Sequence, residues 1–158
     1  MILSFSQKIN NKPTYFAEKI LRGLRDIEVD KHIATFFNSE FYTPGKFIEV
    51  NPKIHTIRED KKNRWKAGIN IHFVINRRTP KQLQFAPAIK CESVQDIEII
   101  PETKTILIDQ SDSSAYMLTK EGLKNLIVND GFDSEEDFWN YFNEPFEGKI
   151  IHWTKLRY

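Results

Sequence analysis

Apolar and polar residues alternate through Met1–Ser6, MILSFS, and this period of two predicts an opening strand. The period lengthens after the turn at Lys12-Pro13-Thr14. Phe16, Ile20 and Leu24 are spaced by four, with Ala17 and Leu21 widening the stripe. A helix capped by Thr14 is predicted to about Leu24, with Gly23 weakening its last turn. Asp30 is placed to cap a short helix through Phe37. Thr43-Pro44-Gly45-Lys46 and Asn51-Pro52 are turn signals. Residues 26–50 read as an elaboration on the domain. Ile33, Phe36, Phe37, Phe41 and Phe47 are too apolar for a solvated connection, so they complete the domain's own core or meet a partner.

Lys53–Arg58 reads as a strand or the lead-in to one, Glu59–Trp65 as a polar loop, and Lys66-Ala67-Gly68 as a turn. Ile69, Ile71, Phe73 and Ile75 alternate with Asn70, His72, Val74 and Asn76, the pattern of a half-buried strand. Arg77–Pro80 is a turn, and strands are predicted at 82–86, 88–99 and 103–109, with a turn at Pro101-Glu102. Thr119 caps a predicted helix carrying Leu123, Leu126 and Ile127, which ends near Asn129-Asp130-Gly131, with Gly131 at a left-handed cap position. Asp133 or Ser134 caps a second short helix with Phe138, Trp139, Tyr141 and Phe142. Lys149–Leu156 is a closing strand with Ile151 and Trp153 on one face. This order predicts an α+β domain whose mainly antiparallel sheet closes into a small barrel flanked by short helices.

Composition narrows the class. At 158 residues and 18.7 kDa the chain suits one domain, burying roughly two-thirds of its unfolded surface. The single Cys91 excludes an internal disulfide, and no apolar run approaches the ~18 residues of a membrane span. The first residues are too polar for a signal peptide. A cytoplasmic protein with no membrane partner is expected. Charge is uneven: residues 1–100 carry a net +6 and residues 101–158 a net −5. The densest basic window, Lys53–Lys81, holds nine Lys and Arg against Glu59 and Asp60, a pattern that attracts phosphate or makes a solvated hairpin.

Neither GxxxxGK[ST], GxGxxG nor GxSxG occurs, and the four histidines show no i, i+4 pair. Neither a cofactor nor a metal is expected. The segment around Lys53 gathers an amine, a hydroxyl in Thr56 and a guanidinium in Arg58. Arg64, Trp65 and Lys66 follow. Lys53 can serve as a base if burial lowers its pKa, and Thr56 would then be an activated nucleophile. Arg58 offers a fork for phosphate or a base edge, and Trp65 a face on which an unpaired base can stack.

Lys53, Thr56, Ile57 and Arg58, followed by Lys66-Ala67-Gly68, resemble the signature of the ASCH superfamily, although Ile69 stands where that signature has an acidic residue. Leu3–Ser6 with Phe16–Gly23 resembles the element before the signature. Asn129-Asp130-Gly131-Phe132 with Glu136-Asp137-Phe138 resembles the later Glu-Gly-Phe element, and Ile150–Trp153 the last strand. The resemblance implies a PUA-like β-barrel and a cleft that binds RNA or modified nucleosides. One bacterial branch hydrolyses 4-acetylcytidine with a Lys, a Thr and a Glu. By motif position these are Lys53, Thr56 and Asp130, the last one methylene shorter than Glu. Three readings follow. The first is an RNA or modified-nucleoside binding domain using Arg58, Arg64, Trp65 and Lys66. The second is an amidohydrolase using Lys53, Thr56 and Asp130. The third is a protein-interaction module presenting residues 26–50. In a regular strand, residues three apart face opposite ways, so Lys53 and Thr56 meet only if Asn51-Pro52 makes the lead-in irregular.

Overall fold

A computed structural model describes residues 1–24, 30–109 and 115–158, so residues 26–29 of the expected elaboration lie outside the described residues. The opening alternation forms β1 (Ile2–Phe5), followed by a small ribbon of β2 (Lys8–Ile9) and β3 (Lys12–Pro13). Three helices come next: α1 (Phe16–Gly23), α2 (Lys31–Phe37) and α3 (Lys46–Glu49). The middle of the chain holds β4 (His55–Arg58), β5 (Asn70–Ile75), β6 (Leu83–Gln84), β7 (Ile89–Lys90), β8 (Ser93–Ile100), β9 (Thr105–Asp109) and β10 (Ala115–Met117). Then follow α4 (Lys120–Asn129), α5 (Glu135–Tyr141) and β11 (Phe146–His152). The class is α+β with mostly antiparallel sheets. No described helix is long and apolar enough to cross a membrane.

Two main sheets carry the domain. In one, β5 runs parallel to β1 and antiparallel to β6 and β7. The other is antiparallel throughout, in the order β10-β9-β8-β11-β4. They share a corner at Cys91-Glu92, where the expected strand 88–99 breaks in two. Cys91 N–H donates to Ile69 at 2.8 Å, and Glu92 N–H donates to His152 at 2.9 Å. The chain thus passes from one sheet to the other between consecutive residues, as strands do at the corners of packed sheets.

Each sheet covers its own core. Leu3, Phe5, Ile71, Phe73 and Ile75 meet Phe16, Ile20, Leu21, Ile33 and Phe36 from α1 and α2. Ile97, Ile99, Ile106, Ile108 and Ile150 meet Leu126, Ile127, Phe138, Trp139 and Phe142 from α4 and α5. Neighbours Ile150 and Ile151 enter opposite cores, the period-two consequence of a strand lying between them. Phe36 is fully buried with Phe37 and Tyr42 against its ring, and Phe41 and Phe47 pack on the same core, so the aromatics of residues 30–50 complete this domain's own core.

Asp30 caps α2 by accepting from His32 and Ile33, Thr119 caps α4, and Ser134, not Asp133, caps α5. Thr14 is not the cap of α1. Its hydroxyl donates to Ser6 at 2.6 Å, and Tyr15 takes the cap position at φ 51° without a side-chain bond. The closing strand starts at Phe146 and stops at His152, earlier at both ends than expected. β10 and α3 were not anticipated; three and four residues are too few to show a period.

The expected closure into a barrel is not present as a continuous ladder among the described residues. β1 and β4 are edge strands that do not pair. The outward donors of β4 and its lead-in are taken by helices instead: Lys53 N–H by Lys19 of α1 at 2.9 Å, Ile54 N–H by Asn129 of α4 at 3.0 Å, and Ile57 N–H by the Asp130 carboxylate at 3.0 Å. Across the gap Arg58 donates from Nη2 to the Ser4 carbonyl at 3.1 Å. The gap is where the candidate site lies.

Candidate functional site at the edge of strand β4

Lys53 lies just before β4, and its backbone bonds to α1 rather than to a ladder. That irregular lead-in resolves the face problem: Lys53 and Thr56 line one cleft together with Ser4, Phe16, Arg58, Asp130 and Phe132. Gly23 permits the close approach of α1. A Cβ there would stand 2.6 Å from the Lys53 carbonyl oxygen. Gly131, at φ 89°, turns the chain after α4, and a Cβ on it would meet Lys53 Cδ at 2.9 Å. The two glycines that flank Lys53 therefore serve the site as well as the backbone.

The Lys53 side chain is 1% exposed. Its amine donates to the Asp130 main-chain carbonyl and, at 3.0 Å, to Asp130 Oδ1. It also lies 4.9 Å from the centre of the Phe16 ring, a cation–π distance. Burial pulls its pKa from 10.5 down to about 8, and the Asp130 charge keeps it from falling further. Burial works against the Asp130 charge too, but Lys53 and His55 outweigh it and hold the carboxyl below the ordinary range. Asp130 is the C-cap of α4, where the exposed carbonyls favour a cation, so the helix end adds to the attraction. A second buried lysine, Lys19, reaches the same turn, donating to Gly131 at 2.8 Å and to Asp133 at 2.7 Å.

Behind Asp130 stands a buried polar chain. His55 Nδ1 is 3.5 Å from Asp130 Oδ1, and His55 Nε2 is 2.8 Å from the Tyr158 hydroxyl. Asn129 donates to that hydroxyl at 2.9 Å. The Tyr158 hydroxyl accepts from Asn129 and so has its own proton to donate to His55 Nε2, which assigns the ring proton to Nδ1, on the side of Asp130 but too far from it for a hydrogen bond. Burial lowers the His55 pKa and keeps the ring neutral, which suits this tautomer. Burial also takes His152, whose ring lies 5.4 Å from that of His55, down to about 3.

The structure therefore brings Lys53, Thr56, Asp130 and Arg58 together. It does not bring Arg64, Trp65 and Lys66 to them. Trp65 is a buried residue of the core that α1, α2 and β5 share, so its ring offers no stacking face. Arg64 and Lys66 are exposed on the 59–68 loop. The basic window does not form one patch either. Lys61, Lys62, Arg64 and Lys66 precede β5, while Arg77, Arg78 and Lys81 follow it, and six strand residues separate the two groups by roughly 20 Å. A hollow of about 760 Å³ lies elsewhere and carries Glu59, Asp60, Asp96, Glu98 and Glu147 against Lys61 and Lys149, the wrong sign for phosphate. Among the described residues no group of three or more His, Cys, Asp or Glu could hold a metal.

Sequence reasoning missed Lys19, His55, Asn129 and Tyr158. His55 carried one signal, its alternation with Ile57 on a strand. Lys19 carried another, its place three residues after Phe16 beside the apolar stripe. No protein-family model, no curated protein and no solved structure matches this chain.

Proposed function

We propose that the chain is an ASCH-type domain on a PUA-like barrel frame, with its ligand mouth between β1 and β4. In this reading it is a cytoplasmic amidohydrolase for a small N-acylated nucleoside such as 4-acetylcytidine. The observation that carries this is the buried Lys53 amine, paired with Asp130 and sharing one cleft with Thr56. With a pKa of about 8, about a tenth of the Lys53 amines are neutral at pH 7 and able to take a proton. Asp130 reaches Lys53 even though it is a methylene shorter than the Glu of the resembling family.

The reaction follows from these positions. Lys53 removes the proton from the attacking hydroxyl, that of Thr56 or of a water, as it adds to the acyl carbon. The tetrahedral oxyanion takes hydrogen bonds from Arg58 or backbone N–H groups. The C–N bond then breaks, and Lys53 returns the proton to the leaving nitrogen. Attack by Thr56 leaves an acyl ester, which a water hydrolyses by the same proton exchange.

Hydrolysis of 4-acetylcytidine by the purified protein tests this. Wild type should turn over, with a rising pH–rate limb near pH 8, and Lys53→Ala should lose roughly 10²–10⁴ of the rate. A wild-type protein without turnover refutes the hydrolase reading. The exposed Lys61, Lys62, Arg64 and Lys66 favour a second reading, RNA binding through the 59–68 loop. It requires affinity for single-stranded RNA that falls steeply with salt.

A further inference from the structure

The cleft beside Lys53 and Thr56 has a volume of about 50 Å³. At roughly 15 Å³ for each water-sized group, it admits about three or four non-hydrogen atoms. A nucleoside does not fit, but an acetyl group does. The rest of such a ligand must therefore lie at the mouth. Tyr141 stands there, 45% exposed, and lines both the cleft and an adjoining groove of about 370 Å³. Ile57 and Arg58 are also common to both, and Phe142, Pro145 and Phe146 continue the groove. The Tyr141 ring is held by Phe142, edge-to-face with centroids 4.9 Å apart, and by Phe132 at 5.5 Å. A fixed aromatic ring beside an open groove is suited to stacking. Arg58 spends two of its five N–H donors on Ser4 and Ile57 carbonyls.

We propose that Tyr141 and Arg58 form a leaving-group subsite. A planar heteroaromatic amine lies against the Tyr141 ring in the groove, Arg58 donates to its carbonyl edge, and only its small acyl group enters the cleft. Tyr141 thus takes the stacking role that the sequence suggested for Trp65. The substrate class follows: acetyl-sized amides of flat heteroaromatic amines, with larger acyl groups excluded. This inference rests on the amidohydrolase reading for its chemistry, but the subsite itself binds product as well as substrate.

Two measurements on wild type, Tyr141→Leu and Tyr141→Phe separate the two claims: calorimetric affinity for cytidine, and steady-state hydrolysis of 4-acetylcytidine and 4-benzoylcytidine. Tyr141→Leu keeps an apolar contact with Phe132 and Phe142 but loses the ring. It should weaken cytidine binding and raise KM about 5- to 100-fold, with kcat little changed. Tyr141→Phe keeps the ring and should recover most of the affinity. The benzoyl substrate should be turned over at least about 100-fold more slowly than the acetyl one, because its acyl group exceeds the cleft. Cytidine binding that depends on Tyr141 without hydrolysis by wild type supports the subsite and overturns the hydrolase reading. Hydrolysis with KM unchanged in Tyr141→Leu overturns the subsite, and equal rates on the two substrates overturn the size limit. Failure of wild type to bind cytidine also overturns the subsite. Should Tyr141→Leu not fold, NMR contacts between the cytidine base protons and the Tyr141 ring of wild type decide; their absence overturns the proposal.

Discussion

Asp130→Asn isolates the charge that sustains Lys53. The substitution keeps the shape and an oxygen for the Ile57 N–H, and removes only the negative charge 3.0 Å from the amine. Removing an opposite charge at this distance typically lowers an amine's pKa by about one to three pH units. The Lys53 value should therefore fall from about 8 to about 7 or lower. In the unfolded chain Lys53 keeps its ordinary value of 10.5 in both proteins. Between pH 7 and 8 the folded variant therefore binds fewer protons than folded wild type, while the unfolded chains bind equally. The stability lost through the substitution must shrink as pH rises across that window. At 1.36 kcal/mol per pH unit, a fall of one unit or more from about 8 makes the pH-dependent part about 1 kcal/mol. A larger fall raises it only slightly, because the variant's amine is then already neutral at pH 7. By pH 9.5 both folded amines are neutral and this part is gone. Urea unfolding of both proteins at pH 7.0 and 9.5 measures it. A stability difference equal at the two pH values would show that Lys53 does not titrate near 8, and would remove the base from the proposed mechanism.

Two further substitutions probe the frame around the site. Trp65→Ala should cost about 3–5 kcal/mol in urea unfolding, the price of emptying a large core position, yet leave cytidine affinity per folded molecule unchanged. A selective loss of affinity would restore Trp65 to the ligand surface. Gly131→Ala puts a Cβ at φ 89°, 2.9 Å from Lys53 Cδ and 3.0 Å from Phe16 Cε1. It should destabilise by about 1–3 kcal/mol and reduce kcat by displacing the amine; stability and kcat both at wild-type levels would refute this account of the turn.

Much of the frame was legible from spacing alone. The four-residue period of Phe16, Ile20 and Leu24, the period of two through Ile71, Phe73 and Ile75, and the caps at Asp30 and Thr119 are local features. Backbone geometry and side-chain chemistry within one turn or one pleat decide them, so sequence-neighbour information suffices. The elements read poorly were those without a period or those set by distant partners. β10 and α3 are too short to show one, and β11 takes its length from seven residue pairs with β8.

The candidate chemistry divided in the same way. Lys53, Thr56 and Arg58 stand close in sequence, so their types and spacing were visible. Their convergence with Asp130 depends on residues 77 positions apart meeting at 3.0 Å. The fate of Trp65, an apolar ring in a basic loop, was settled by the core beneath it. So was the split of the basic window by β5. The polar chain from Lys53 through Asp130 and His55 to Tyr158 joins a strand lead-in, a helix end and the last residues described. Local sequence determines which backbone each segment prefers. Which charges are stripped of water, and which partners they then find, follows only from how the two cores and their helices close around them, because desolvation and pairing act through space rather than along the chain.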